Sequence, residues 1–112
     1  MEEEHEFYVA GVKFHDINKV SKYLKKGIAL RLEPDPDNEY DPNAVKIIFG
    51  PAVASTMLGF VPQKKGEMSA TVSAMLTWCD SVICDIVEYE PDAPPYKQLL
   101  VRVKGESKGD VK

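Results

Sequence analysis

Hydrophobic and polar positions alternate along most of this chain, in runs too short for anything but small strands. Phe7 and Val9 oppose Tyr8 and Ala10, which predicts a first strand over residues 7–12 that bends at Gly11. Ile28, Leu30 and Leu32 alternate with Ala29, Arg31 and Glu33, and Val45, Ile47 and Phe49 alternate with Ala44, Lys46 and Ile48. A short apolar run, residues 57–61, gives a fourth strand. Val82, Cys84 and Ile86, then Leu99, Val101 and Val103, give a closing hairpin around the proline-broken residues 90–95.

Two stretches change period. Ile17, Val20 and Leu24 form one apolar face at i, i+3 and i+7, with Asp16 placed to cap the helix and Gly27 to end it. Met68, Val72, Met75 and Leu76 repeat the helical spacing after Pro62, which suits a first turn. The predicted order is β-α-β-β-β-α-β-β, a mostly β (α+β) chain of about six strands with two short helices, consistent with a small barrel.

The 112 residues allow one domain with a modest core, and 44% hydrophobic with 29% charged content is ordinary for a globular protein. No apolar run reaches the ~20 residues of a membrane helix, and the acidic start Met-Glu-Glu-Glu-His-Glu lacks signal-peptide character, so a cytoplasmic location is expected. Cys79 and Cys84 make neither a disulfide framework nor a zinc site and are expected as reduced, buried small side chains. Net charge is -4, contributed in sum by Glu2, Glu3, Glu4 and Glu6; the rest of the chain carries 14 basic and 14 acidic side chains. Strong nucleic-acid binders show a basic excess, so any such site here is local and weak. Lys19, Lys22, Lys25 and Lys26 read either as a solvated helix face or as a phosphate-facing stripe.

Chemistry concentrates in residues 33–46, where five carboxylates, two asparagines, a tyrosine and three prolines lead into a strand. Asp35, Asp37, Glu39 and Asp41 alternate like early ligands of a calcium loop. The match fails at Tyr40, where such a loop needs Gly, and at Lys46, where it needs Glu. No metal and no other cofactor is expected. His5 and His15 have no nucleophile or metal motif around them, and no phosphate-binding loop is present, so no catalytic residues are assigned.

Gly11-Val, Gly27-x-x-Leu30-x-Leu-Glu-Pro, Asn38-x-Tyr-Asp-Pro-Asn-Ala-Val45 and Leu58-Gly-Phe-Val-Pro62 together resemble the HIRAN family over residues 7–104. The resemblance implies an OB-like/SH3-like β-barrel, with residues 1–6 a disordered acidic tail and 105–112 a polar one. Some HIRAN domains precede Swi/Snf-type helicase modules in fork-remodelling proteins and bind the 3′-hydroxyl end of single-stranded DNA. ATPase or zinc functions met in the family belong to other domains.

Carried onto this chain, the resemblance makes Asp41 the acceptor of a terminal 3′-hydroxyl hydrogen bond. A carboxylate accepts from a hydroxyl and repels a phosphate, so it selects a free end. Tyr40 would lie beside the terminal nucleotide and Tyr8 would stack on a base; the alternatives are a plug over the barrel mouth and an ordinary strand residue. Asn38, Pro42 and Asn43 are read as shaping the loop, Asn43 by bonding nearby backbone. Asp41 is alternatively only a turn cap. Lys64 and Lys65 oppose the dipole of the second helix by about 0.3–1 kcal/mol, which either a surface tolerates or a docked phosphate repays. Phe7 stands where DNA-binding members carry an arginine. The expectation is a non-catalytic, weak binder of single-stranded DNA ends in repair or replication restart. It would work without a membrane and with a protein partner or helicase-type enzyme in trans. The competing expectation is a protein-interaction module.

Overall fold

The computed structural model describes residues 2–107, apart from the side chains of residues 64–67. Its elements are β1 (Glu2–Tyr8), α1 (Ile17–Val20), β2 (Ala29–Pro34), β3 (Val45–Phe49), β4 (Thr56–Phe60), α2 (Lys64–Trp78), β5 (Ser81–Tyr89) and β6 (Leu99–Glu106). Three-residue 3-10 turns lie at Val12–Phe14, Ser21–Tyr23, Ala52–Ala54 and Pro95–Lys97. The order of elements is the predicted one.

All six strands join one antiparallel sheet in the order β1-β6-β5-β2-β3-β4. The sheet curls into an OB-like form that no continuous ladder closes. Its two edges meet at one isolated bridge, where Ala10 and Phe60 exchange hydrogen bonds of 2.8 and 2.9 Å. Gly59 makes that approach possible, since a Cβ there would collide with the Ala10 carbonyl oxygen and come within 2.7 Å of Val9 Cγ1.

Inward residues fill one core: Val9, Val45, Ile47, Leu58, Ile86, Leu99, Val101 and Val103 are fully buried, and Phe7 of β1 and Leu30 of β2 join them. Helix α2 covers it with Val72 and Met75. The helix packs on β6 at Gly105, where a Cβ would lie 2.6 Å from Met75 Cε and 2.7 Å from Cys79 Sγ. Ile17, Val20 and Leu24 face the core as their spacing predicts. Yet α1 is a single turn followed by a 3-10 turn, and Asp16 makes no capping hydrogen bond. The chain is already extended at Leu24, and Gly27 donates its N–H to the Ile86 carbonyl rather than ending a helix. Pro62 stands just ahead of α2 rather than in its first turn.

The acidic N-terminus corrects the expectation of a disordered tail. Residues 2–6 extend β1 and pair with Arg102–Glu106 of β6. The reason lies across the strands. Arg102 approaches Glu4, Glu6 and Asp85 at 3.6–3.7 Å, and Lys104 approaches Glu2 at 3.6 Å. Each pair is worth little at this exposure, but together they cancel the repulsion that reads as disorder. Likewise β6 runs through Glu106, so residues 105 and 106 of the expected C-terminal tail are strand, while its residues 108–112 lie outside the described residues.

Cys84 is buried among these strands, and burial pushes its thiol up to about 12. The unfolded thiol ionises near 9.0, so this contribution to stability is whole below pH 9 and is lost as pH rises toward 12. In the native protein at pH 8, Cys84 should resist a disulfide reagent until denaturant is added. Immediate labelling of both thiols without denaturant would contradict this burial.

Candidate nucleic-acid interface

The β2–β3 connection is held almost entirely by its own polar groups. Asp35 donates its N–H to the Ala44 carbonyl, closing the base of the loop at 2.9 Å. Asn38 Oδ1 accepts the N–H groups of Tyr40 and Asp41 at 2.9 and 3.0 Å, while its amide nitrogen donates to Asp35 Oδ2 at 3.2 Å. Asp41 Oδ1 accepts the Asn43 N–H at 2.9 Å, and Ala44 N–H donates to the Asp41 carbonyl at 3.0 Å. These are successive Asx-type turns, in which short side chains replace a backbone ladder. The side-chain pinning role read onto Asn43 belongs to Asn38; Asn43 contributes its main-chain N–H. Exposed Pro42 sits between the two Asp41-based bonds.

One bond leaves the loop. Ser69 of α2, only 1% exposed, donates its hydroxyl to Asp41 Oδ2 at 2.8 Å and so ties the loop to the helix. Asp41 is thus a turn cap and an anchor at once. A carboxylate offers about four lone-pair positions, of which these bonds occupy two. Beside it Tyr40 projects into solvent, 84% exposed, rather than plugging a barrel mouth.

Tyr8 lies 40% exposed on the outer face of β1. The isolated bridge links its strand toward the loop: Ala10 pairs with Phe60, and Phe60 with Lys46, so the two segments sit two strand spacings (~10 Å) apart at this level. The outer surface between them carries half-buried Phe60 and Lys46, with the His15 ring edge-on to Phe60 at 6.1 Å. Phe7 turns inward and is buried, as its place one residue from Tyr8 requires. Lys64 and Lys65 open α2, and their side chains lie outside the described residues.

Sequence reasoning passed over Ser69, Phe60 and Lys46. Ser69 falls between apolar helix positions with no motif of its own, and only the three-dimensional approach to Asp41 marks it. Phe60 shares the face of its cross-strand partner Lys46, but a register shift that leaves Leu58 unpaired breaks the alternation, and period two from buried Leu58 would have turned Phe60 inward. Among the described residues, no group of three or more His, Cys, Asp or Glu is gathered to hold a metal ion, and no helix is long and apolar enough to cross a membrane.

The site is thus a small OB-like sheet that carries an ordered polar loop beside exposed aromatic side chains. The chain belongs to the HIRAN domain family, whose profile matches residues 3–108. It is similar to the Fanconi-associated nuclease 1 homolog of Oryza sativa subsp. japonica, 25% identical over 88 residues. That match takes in 78% of this chain and 9% of the relative's length. Among solved structures, a Lactobacillus plantarum protein superposes with a TM-score of 0.61 at 18% identity, covering 95% of this chain and 100% of that one. The HIRAN domain of human HLTF superposes with a TM-score of 0.58 at 14% identity, covering 92% and 76%. At these identities the structural matches speak for the fold.

Proposed function

We propose that this domain binds the ends of single-stranded DNA weakly, as a non-catalytic module. In this reading Asp41 accepts a hydrogen bond from the terminal 3′-hydroxyl. The observation that carries it is the pairing of a fixed carboxylate with a free aromatic: Asp41 is held at both oxygens, and Tyr40 beside it is almost fully exposed. Preorganisation of the acceptor avoids the ordering cost of a mobile side chain. HIRAN domains serve as DNA-binding modules in related proteins, which supports the class of ligand. Tyr40 and Tyr8 offer π-faces, each stacked base being worth roughly 1–3 kcal/mol. Lys46 on the intervening surface adds a cation for the backbone phosphate, and Lys64 and Lys65 at the start of α2 take the supporting role expected of them. With Phe7 buried in place of an arginine, affinity is low.

Fluorescence anisotropy with oligonucleotides ending in a 3′-hydroxyl or a 3′-phosphate tests this. The hydroxyl end should bind about tenfold or more tightly, the loss of one charge-assisted hydrogen bond plus repulsion. Equal affinities, or no binding at high micromolar protein, sink it. The setting proposed is DNA repair or replication restart inside the cell, with a nucleic-acid-processing enzyme supplying the chemistry in trans. A second reading, a protein-interaction module, draws on Ile83 and Val53, which are exposed on the outer sheet and the β3–β4 connection. The β1 edge argues against strand addition, because glutamates at alternate positions blunt it. Light scattering after size exclusion separates the two readings.

A further inference from the structure

The glutamates that give this chain its net charge are gathered on one strand and mostly on one face. Three of the four, Glu2, Glu4 and Glu6, alternate along β1 and point outward on the same side as Tyr8. Glu3 lies on the inner side with Phe7 and is hydrogen-bonded to His5 at 2.7 Å, so it stands apart from the other three. Across the ladder Tyr8 faces Leu100, Glu6 faces Arg102, and Glu4 faces Lys104. A single strand stacked on Tyr8 that continued along this ribbon would therefore carry its phosphates over Arg102 and Lys104.

The glutamates already occupy those two cations. Arg102 Nη1 lies 3.7 Å from both Glu4 and Glu6, and its Nε lies 3.6 Å from Asp85. Lys104 Nζ lies 3.6 Å from Glu2. Both cations remain reachable, with side chains 35% and 41% exposed. Each contact is longer than the roughly 2.7–2.9 Å of a charge-assisted hydrogen bond, so these are loose pairs that a phosphate could exchange. They also exceed neutralisation: Glu2, Glu4, Glu6, Asp85 and Glu106 share the outer face with only Arg102 and Lys104. Holding β1 to β6 needs no such excess, since the backbone ladder runs from Glu2 to Tyr8. What the excess does is repel a polyanion at the point where it would leave Tyr8.

We infer that Glu2, Glu4 and Glu6 set the specificity of the end-binding site by standing where the backbone of a longer strand would lie. The inference rests on the end-binding reading and adds to it a limit on the footprint. Nucleotides near the terminus meet Asp41 and the tyrosines, whereas those beyond Tyr8 meet carboxylates instead of the Arg102 and Lys104 cations. Interior strand then contributes little, and the free end decides the affinity.

Fluorescence anisotropy over single strands of increasing length, each ending in a 3′-hydroxyl or a 3′-phosphate, tests this on the wild type and on the triple variant E2Q, E4Q and E6Q. Wild-type affinity should level off within the first few nucleotides. The variant should go on gaining with length, binding the longest strand about fivefold or more tightly, with a salt slope steeper by about 1 for the one or two phosphates added. Its preference for a hydroxyl end on that strand should fall by a similar factor. E6Q alone, which keeps the Glu2–Lys104 pair, should show part of the gain. In an R102Q, K104Q background the three glutamate changes should gain nothing. A variant with the wild-type urea midpoint and the wild-type length dependence overturns the inference. So does an equal gain in the R102Q, K104Q background, which would come from net charge alone. A hydroxyl preference in the wild type with no gain in the variant sinks this inference and spares the end-binding reading. No such preference in either protein, with the gain intact, does the reverse.

Discussion

Replacing Gly59 with alanine destabilises the domain by about 3 kcal/mol or more, seen as a fall in the urea midpoint at unchanged slope. The new Cβ has nowhere to go, because it meets the Ala10 carbonyl oxygen and Val9 Cγ1, and backbone yields less readily than a side-chain end. Relief requires β4 to retreat from Ala10, which breaks both hydrogen bonds of the bridge and uncovers Val9, Leu58 and Val61. A variant within about 1 kcal/mol of the wild type would mean that the bridge contributes nothing to holding the edges together.

The second large effect is expected at Asp41. Its removal in D41A leaves the Ser69 hydroxyl buried without an acceptor and the Asn43 N–H without its cap, costing about 2–3 kcal/mol. With Ser69→Ala already in place the orphaned hydroxyl disappears, so the same change should cost about 1–2 kcal/mol less. A double-mutant cycle in urea measures that coupling. Additive effects would show that the Ser69–Asp41 bond does not anchor the loop. On the binding side, D41A should erase any preference for a hydroxyl over a phosphate end. S69A should weaken the preference by freeing the carboxylate to turn. If S69A keeps the full preference while D41A loses it, the acceptor needs no positioning from the helix.

Most of the fold was legible because strand burial writes itself into sequence with period two. Val45, Ile47 and Phe49, or Leu99, Val101 and Val103, leave little choice of face. β1 was legible only from Phe7 onward. Its first residues are glutamates whose partners, Arg102 and Lys104, stand nearly a hundred positions away, and nothing local distinguishes a neutralised acidic strand from a loose acidic tail. α1 had the right apolar face and the wrong length, since the same spacing of Ile17, Val20 and Leu24 is met by one α-turn followed by a 3-10 turn.

The loop shows a finer limit. Its motif marked it as special, and its short polar side chains are of the kind that form self-bonded turns. Asn38 and Asn43 have the same chemistry, and only backbone geometry decides that Asn38 receives two N–H groups while Asn43 gives one. Ser69 was beyond reach, since a serine in an amphipathic helix carries no sign of what lies above it.

The incomplete closure of the sheet has a mechanical consequence. β1, β6 and β5 make one three-stranded leaf and β2, β3 and β4 another. They are joined on one side by two residue pairs between β2 and β5, continued by hydrogen bonds of Gly27 and Ile28 to Ile86, and on the other by the Ala10–Phe60 bridge. Tyr8 rides on the first leaf and Tyr40 on the second. A strand of DNA laid across both would act as a staple over the weaker seam, so tightening its grip and stiffening the protein would be one and the same event.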